Sequence, residues 1–173
     1  MIELHTERLR LRMFREADID EYARIVGDAE TMRYIGKGEP LTLPEAWKNI
    51  AAILGHWQMR GYGFWAAEEK STGKFAGALG CSYPAGWPGF EVGWTLAREF
   101  RGRGLATEGA RAALRYSFEK LEQSRVISLI QPGNDPSIAV AERIGESLAG
   151  RTVVGGKECL IYAIERAEWE RTR

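Results

Sequence analysis

The sequence predicts an α/β fold: one domain on a mixed, mostly antiparallel sheet of about seven strands, with a central βαβ crossover and about four helices. Three observations predict it. Hydrophobic periodicity switches along the chain between two and about 3.6, so strands and helices alternate. Two glycine-bearing turns, Lys70-Ser71-Thr72-Gly73 and Gly155-Gly156, each join two strand-like segments as a hairpin. Between the hairpins, an apolar strand, a glycine-rich turn, a long amphipathic helix and a second apolar strand make up the crossover.

The chain has 173 residues, which fit one domain spanning 1–173. A chain of that size buries roughly 70% of its unfolded surface without staples. Lys plus Arg and Asp plus Glu both number 24, so no global field draws the protein to nucleic acid or to an anionic membrane. Met1 runs directly into Ile2 and Glu3 without a charged-then-apolar leader, and no apolar run approaches membrane-spanning length. The expected location is cytoplasmic. Cys81 and Cys159 lie far apart in apolar surroundings without metal-ligand spacing, and read as buried thiols with no metal site.

Leu9, Leu11 and Met13 alternate with Arg8, Arg10 and Arg12, the pattern of a strand with one buried face. From Glu16, Ile19, Tyr22, Ala23 and Val26 fall at helical spacing, and Gly27 is placed to stop that helix. After a loop from Gly36 to Pro40, Thr42 and Glu45 have capping-box spacing ahead of Trp47, Ile50, Leu54 and Trp57. Phe64–Glu68 and Lys74–Cys81 form the first hairpin, with Gly77 and Gly80 weakening its second strand. Pro84, Gly86, Pro88 and Gly89 around Trp87 enforce a loop. Packing of Trp87 on the hairpin and lining of a cleft are its two readings.

Phe90 to Leu96 is the strand that enters the crossover. The turn after it, Arg98 to Gly104, holds two glycines and three arginines. Gly102 and Gly104 allow close backbone approach, and the first amides of the following helix have no helical partners. Those amides and the helix dipole favour a phosphate or pyrophosphate, and Arg101 and Arg103 add charged donors. A nucleotide P-loop needs Lys then Ser or Thr where Leu105 and Ala106 stand, and a dinucleotide fingerprint needs glycine at Thr107. Both are excluded. The alternative is a glycine-rich turn whose arginines face water.

The helix, from Gly104 to Leu121, shows an apolar face including Leu105, Ala110, Ala113, Leu114 and Phe118. Glu108 in its first turn is placed to offset the dipole and to pair with Arg111. Val126–Ile130 completes the crossover. Asn134 or Asp135 caps a helix that begins at Pro136 and stops at Gly145. Ser147–Val154 and Lys157–Ile164 form the last hairpin, and a charged tail closes the chain.

Arg101, Gly104 and Ala106 match the R/Q-x-x-G-x-G/A signature of the GNAT superfamily of N-acetyltransferases. The chain resembles that family over nearly its full length: in the opening TERLRLR from Thr6, the strand FEVGWTL, the run ATEGARAAL and the later NDPSIAVAERIG from Asn134. The resemblance is to the branch that includes ribosomal-protein alanine N-acetyltransferases, whose members act on varied amines. It implies a GNAT-like fold, acetyl-CoA as cosubstrate and direct transfer to a primary amine in a ternary complex. It also implies that Arg101, Gly102, Arg103, Gly104, Leu105, Ala106 and Thr107 hold the pyrophosphate. By the same resemblance, Trp94, Thr95 and Leu96 pair with pantetheine and polarise the acetyl carbonyl, Asn134 holds the pantetheine, and Ser137 lies by the sulfur. Read from the residues alone, Asn134 is a cap and Ser137 an ordinary first-turn residue.

Polarising that carbonyl is worth roughly 3 kcal/mol per donor. A base must also take the amine proton, and Glu91, bordering the reacting centre, is the catalytic candidate. Ser137 is the candidate for protonating the thiolate. Relatives often use a tyrosine on that last helix, but Ile138–Ile144 contains none, so water is the other acid. Glu146 also departs from the family, standing where an apolar residue commonly follows the helix-ending glycine. His5 and His56 read as structural, and Cys81 lacks the paired base that a nucleophile needs. A protein N-terminus, a small metabolite and an aminoglycoside all remain open as acceptor. Dimers are common among relatives, so the resemblance admits a homodimer. The reading from a different class is a non-catalytic acyl-CoA sensor.

Overall fold

The computed structural model describes residues 2–171. In chain order the elements are β1 (Leu4–His5), β2 (Leu9–Arg12), α1 (Ile19–Val26), α2 (Ala29–Met32), α3 (Leu43–Arg60), β3 (Phe64–Glu69), β4 (Phe75–Ser82) and β5 (Glu91–Leu96). They continue with α4 (Leu105–Glu119), β6 (Arg125–Ile130), α5 (Asp135–Ile144), β7 (Ser147–Val154), β8 (Lys157–Glu165) and α6 (Arg166–Arg171). The strands form one sheet in the order β1-β2-β3-β4-β5-β6-β8-β7. Among the described residues only β5 and β6 are parallel neighbours, as expected where a helix makes the connection. The eighth strand is the two-residue β1. α6 occupies the segment expected as a charged tail, and α2 is a single turn, too short to show a period.

Local chemistry explains the element ends. Thr42 and Glu45 form the capping box of α3, the Thr42 amide donating to Glu45 Oε2 at 2.8 Å. Gly61 ends that helix at φ 76°. Arg12, 4% exposed, donates to both carboxylate oxygens of Asp18 at 2.7 and 2.8 Å and to Glu68 at 2.8 Å. That ion pair locks β2 and β3 to the turn before α1.

The core lies between the sheet and its helices. Trp65 is fully buried, meets Trp57 and Tyr116 edge-on at 5.1 and 5.4 Å, and donates its indole N–H to the Ile2 carbonyl. α4 lays Leu105, Ala110, Ala113, Leu114 and Phe118 into this core. Gly109 lets it sit close, because a Cβ there would meet Leu79 Cδ2 at 2.4 Å. Among the described residues no helix is long and apolar enough to cross a membrane.

Candidate active site

The site begins where β5 and β6 part. Their parallel register consists of one pair, Glu91 with Ile127. The Ile127 amide still donates to the Phe90 carbonyl at 2.9 Å, but beyond that point side chains replace the ladder. The Leu129 amide reaches the Glu91 carboxylate at 3.3 Å, and the Ser128 hydroxyl donates to the Val92 carbonyl at 2.8 Å. Glu91 and Ser128 thus plug the vertex of the split.

Backbone polar groups of a strand alternate sides, and the Ala97 amide bonds β4 at Ala76. Glu91, Gly93 and Thr95 therefore pair with β4, while Phe90, Val92 and Trp94 address β6. Because the strands have separated there, the amide and carbonyl of Trp94 open into the gap. The next carbonyl on that side, Leu96, is taken by Arg101 Nε at 2.9 Å.

The gap leads to the turn before α4. Gly102 and Gly104 adopt φ of 70° and 78°, a region that only glycine enters freely. The Glu108 amide is the first to reach back, to the Gly104 carbonyl at 3.0 Å. The amides of Leu105, Ala106 and Thr107 are therefore left at the positive end of α4. Arg101 also donates to Thr31 Oγ1 at 2.6 Å, which anchors the turn to α2. Arg103 bonds Glu69 and lies over the Phe100 ring at 5.6 Å. Arg101, Gly102, Gly104, Leu105, Ala106 and Thr107 line the cleft, and Arg103 does not.

Glu108 pairs with Arg8, not with the Arg111 that lies within its own helix. Arg8 Nε and its backbone N–H donate to the Glu108 carboxylate at 2.6 and 2.7 Å, and Arg8 NH1 donates to the Arg103 carbonyl at 2.8 Å. The opening segment thereby braces the turn before α4 from outside. Arg111 instead caps the end of α5, donating to the Arg143 carbonyl at 2.7 Å. Arg8 was not a sequence candidate, and its separation of 100 residues from Glu108 is why.

Glu91 is half-buried, and its two oxygens accept from Trp87 Nε1 at 2.6 Å and from the Leu129 amide. Burial pushes its carboxyl up to about 7, against the pull of those two donors. The Trp87 loop therefore reaches the vertex of the split and lines the cleft. On the other wall, the Asn134 carbonyl oxygen caps α5 through the Ser137 amide at 3.4 Å, and both side chains line the cleft. Trp94, Thr95 and Leu96 line it too. Tyr34 borders the cleft, and Gln131 donates to the Gly36 carbonyl at 3.1 Å, tying the loop before α3 to the end of β6.

The remaining candidates are structural. The Tyr83 amide donates to His56 Nε2 at 3.1 Å, so His56 carries its proton on Nδ1, 2.8 Å from the Tyr62 carbonyl. His5 sits 3.6 Å from Glu3. Cys81 is fully buried, and burial pushes its thiol up to about 12. It has no route to a thiolate.

One continuous cleft of about 1990 Å³ joins these groups, more than the roughly 300–1,000 Å³ that holds one drug-sized ligand. There is room for two substrates. Residues 8–146 match the acetyltransferase (GNAT) domain. An uncharacterized Bacillus subtilis protein, YkkB, is 34% identical over 151 residues, covering 83% of this chain and 84% of its own. An acetyltransferase from Agrobacterium tumefaciens str. C58 is 32% identical, with a TM-score of 0.85 and 95% of each chain covered. A ribosomal-protein alpha-N acetyltransferase solved in complex with coenzyme A shares the fold, with a TM-score of 0.78 at 20% identity over 95% of this chain and 98% of its own. The chain belongs to the GNAT acetyltransferase family.

Proposed function

We propose that this chain moves an acetyl group from acetyl-CoA to a primary amine, directly and within a ternary complex. The observation that carries the reading is the split itself: the Trp94 amide faces an open gap that runs from Glu91 to the amides of Leu105–Thr107. The residues fit the cosubstrate. A turn with φ near 70–78° at Gly102 and Gly104 brings backbone donors to a pyrophosphate, and an unpaired strand edge suits an amide-bearing pantetheine arm.

Acetyl-CoA supplies the activated acyl group, and the chain supplies position and proton transfer. Trp94 N–H stabilises the charge that builds on the carbonyl oxygen. Glu91, poised near 7, takes the proton from the attacking amine. Ser137 or a water molecule returns a proton to the departing sulfur. The wall near Glu91 includes Trp87, whose indole donates to its carboxylate, and Phe64, whose ring lies against Gly93 two residues along β5. It favours an amine with an apolar body over a polycation.

The test is thiol release with acetyl-CoA and a panel of amines. Apolar monoamines and peptide N-termini are expected to outrank polyamines and aminoglycosides. Tight binding without thiol release from any amine would leave a sensor instead of an enzyme.

A further inference from the structure

Glu146 is a buried carboxyl that the transfer above leaves unused. It follows Gly145, is 3% exposed, and its Oε2 has no hydrogen-bond partner among the described residues. Its Oε1 lies 3.1 Å from Ser128 Oγ, which lies 2.8 Å from the Val92 carbonyl oxygen. A serine hydroxyl has one proton to give. The shorter contact spends it on Val92, so the longer contact needs a proton from Glu146. The side chain is therefore a carboxylic acid that donates O–H to Ser128, with Oε2 as its carbonyl. This neutral form also avoids a buried charge with an unpartnered oxygen.

Glu91 is fastened to the next residue of β6, Leu129. Two carboxyls thus meet the same strand at consecutive positions; burial raises the Glu146 carboxyl well above the usual range, and the like charge of Glu91 raises it further. Of the titratable groups on the neighbouring elements, Cys159 and Tyr162 of β8 are buried, while Asp135, Glu142 and Arg143 of α5 are exposed. The two sites treat an anion differently. Glu91 receives an indole N–H and a backbone amide, whereas Glu146 has only a hydroxyl already committed to Val92. The pair's first proton therefore leaves Glu91, and the second must leave beside an existing charge.

We propose that Glu146 is a positioning residue that works as its neutral acid: through Ser128 it pins Val92 at the vertex of the split and confines the first ionisation to Glu91. The inference rests on the reading of Glu91 as base. When Glu146 loses its proton, Ser128 must turn its hydrogen toward the new carboxylate and release the Val92 carbonyl. The strand that presents the Trp94 amide is then no longer held.

Turnover should accordingly fall at alkaline pH, and E146Q isolates the cause, because its amide still donates to Ser128 but does not titrate. The experiment is the pH profile of kcat/KM for the natural protein, E146Q and E146L. The natural protein is expected to show a bell, and E146Q a rising curve whose alkaline limb is gone. E146L, which has no donor, is expected to lose roughly 10- to 100-fold in kcat with its folded circular dichroism intact. An alkaline limb that persists in E146Q, or a full kcat in E146L, would overturn the proposal.

Carbon-13 NMR of protein labelled at glutamate carboxyls reads the same group without turnover. One resonance should remain at the protonated position above pH 7, where Glu91 has ionised, and vanish in E146Q. Its absence overturns the proposal even in an active enzyme. Its presence in a protein that releases no thiol from any amine contradicts acetyl transfer itself, and the positioning role with it.

Discussion

Glu91 and Glu146 hold protons in the folded protein that an unfolded chain gives up near pH 4.5. Above that pH the unfolded state binds fewer protons than the native one, so stability falls as pH rises from about 4.5 toward 7. Thermal melts against pH should show that slope, and a Glu91→Gln, Glu146→Gln double variant should flatten it. In turnover, Glu91→Gln should lower kcat by about 10² to 10⁴ and leave the affinity for acetyl-CoA unchanged, which single-turnover kinetics with calorimetry will separate. At this scale the sequence was readable where partners are near in the chain. The Asn134 cap and the Thr42–Glu45 box stand out from spacing alone. The Glu108–Arg8 brace does not, because it spans 100 residues, and the Trp87–Glu91 contact does not, although only four residues separate the partners, because the irregular loop at Trp87 has no period that places its side chains.

Elements bounded by a clear period or turn were legible almost to the residue: β7 runs from Ser147 to Val154, up to the Gly155-Gly156 turn, and α4 from Leu105 to Glu119. The two-residue β1 and the helices α2 and α6, each under two turns, carry too little pattern to register. Joints between elements should dominate stability. Asp18→Ala would remove the bidentate partner of Arg12, which is 4% exposed and would keep only Glu68 and the Met13 carbonyl, and should cost about 3–5 kcal/mol in urea unfolding. Removing Glu99, whose pairing with Arg24 is half exposed on both sides, should cost less than about 1 kcal/mol. Equal losses for the two would mean that the Arg12 network does not join β2 and β3 to the turn before α1.

For the molecule as a whole, composition and the crossover pattern anticipate one α/β domain, and the order of elements anticipates the neighbours of β5. They do not reveal that the β5–β6 ladder stops after one registered pair, because the stop is made by the side chains of Glu91 and Ser128. The gap they open, ending on the Gly104 turn, is the basis of the proposed activity. The direct measurement is acetyl-CoA binding by calorimetry to the natural protein, Gly104→Ala and Gly104→Glu. A Cβ at Gly104 meets only Arg8 NH2, at 3.5 Å, so space is not limiting. Both variants share the strain of a φ of 78°, about 1–2 kcal/mol, while only Glu places an anion among the amides of α4. The natural protein should bind in the micromolar range, Gly104→Ala more weakly and Gly104→Glu not at all. Equal binding by Ala and Glu variants would put the pyrophosphate elsewhere, and no binding by the natural protein would contradict the proposed activity.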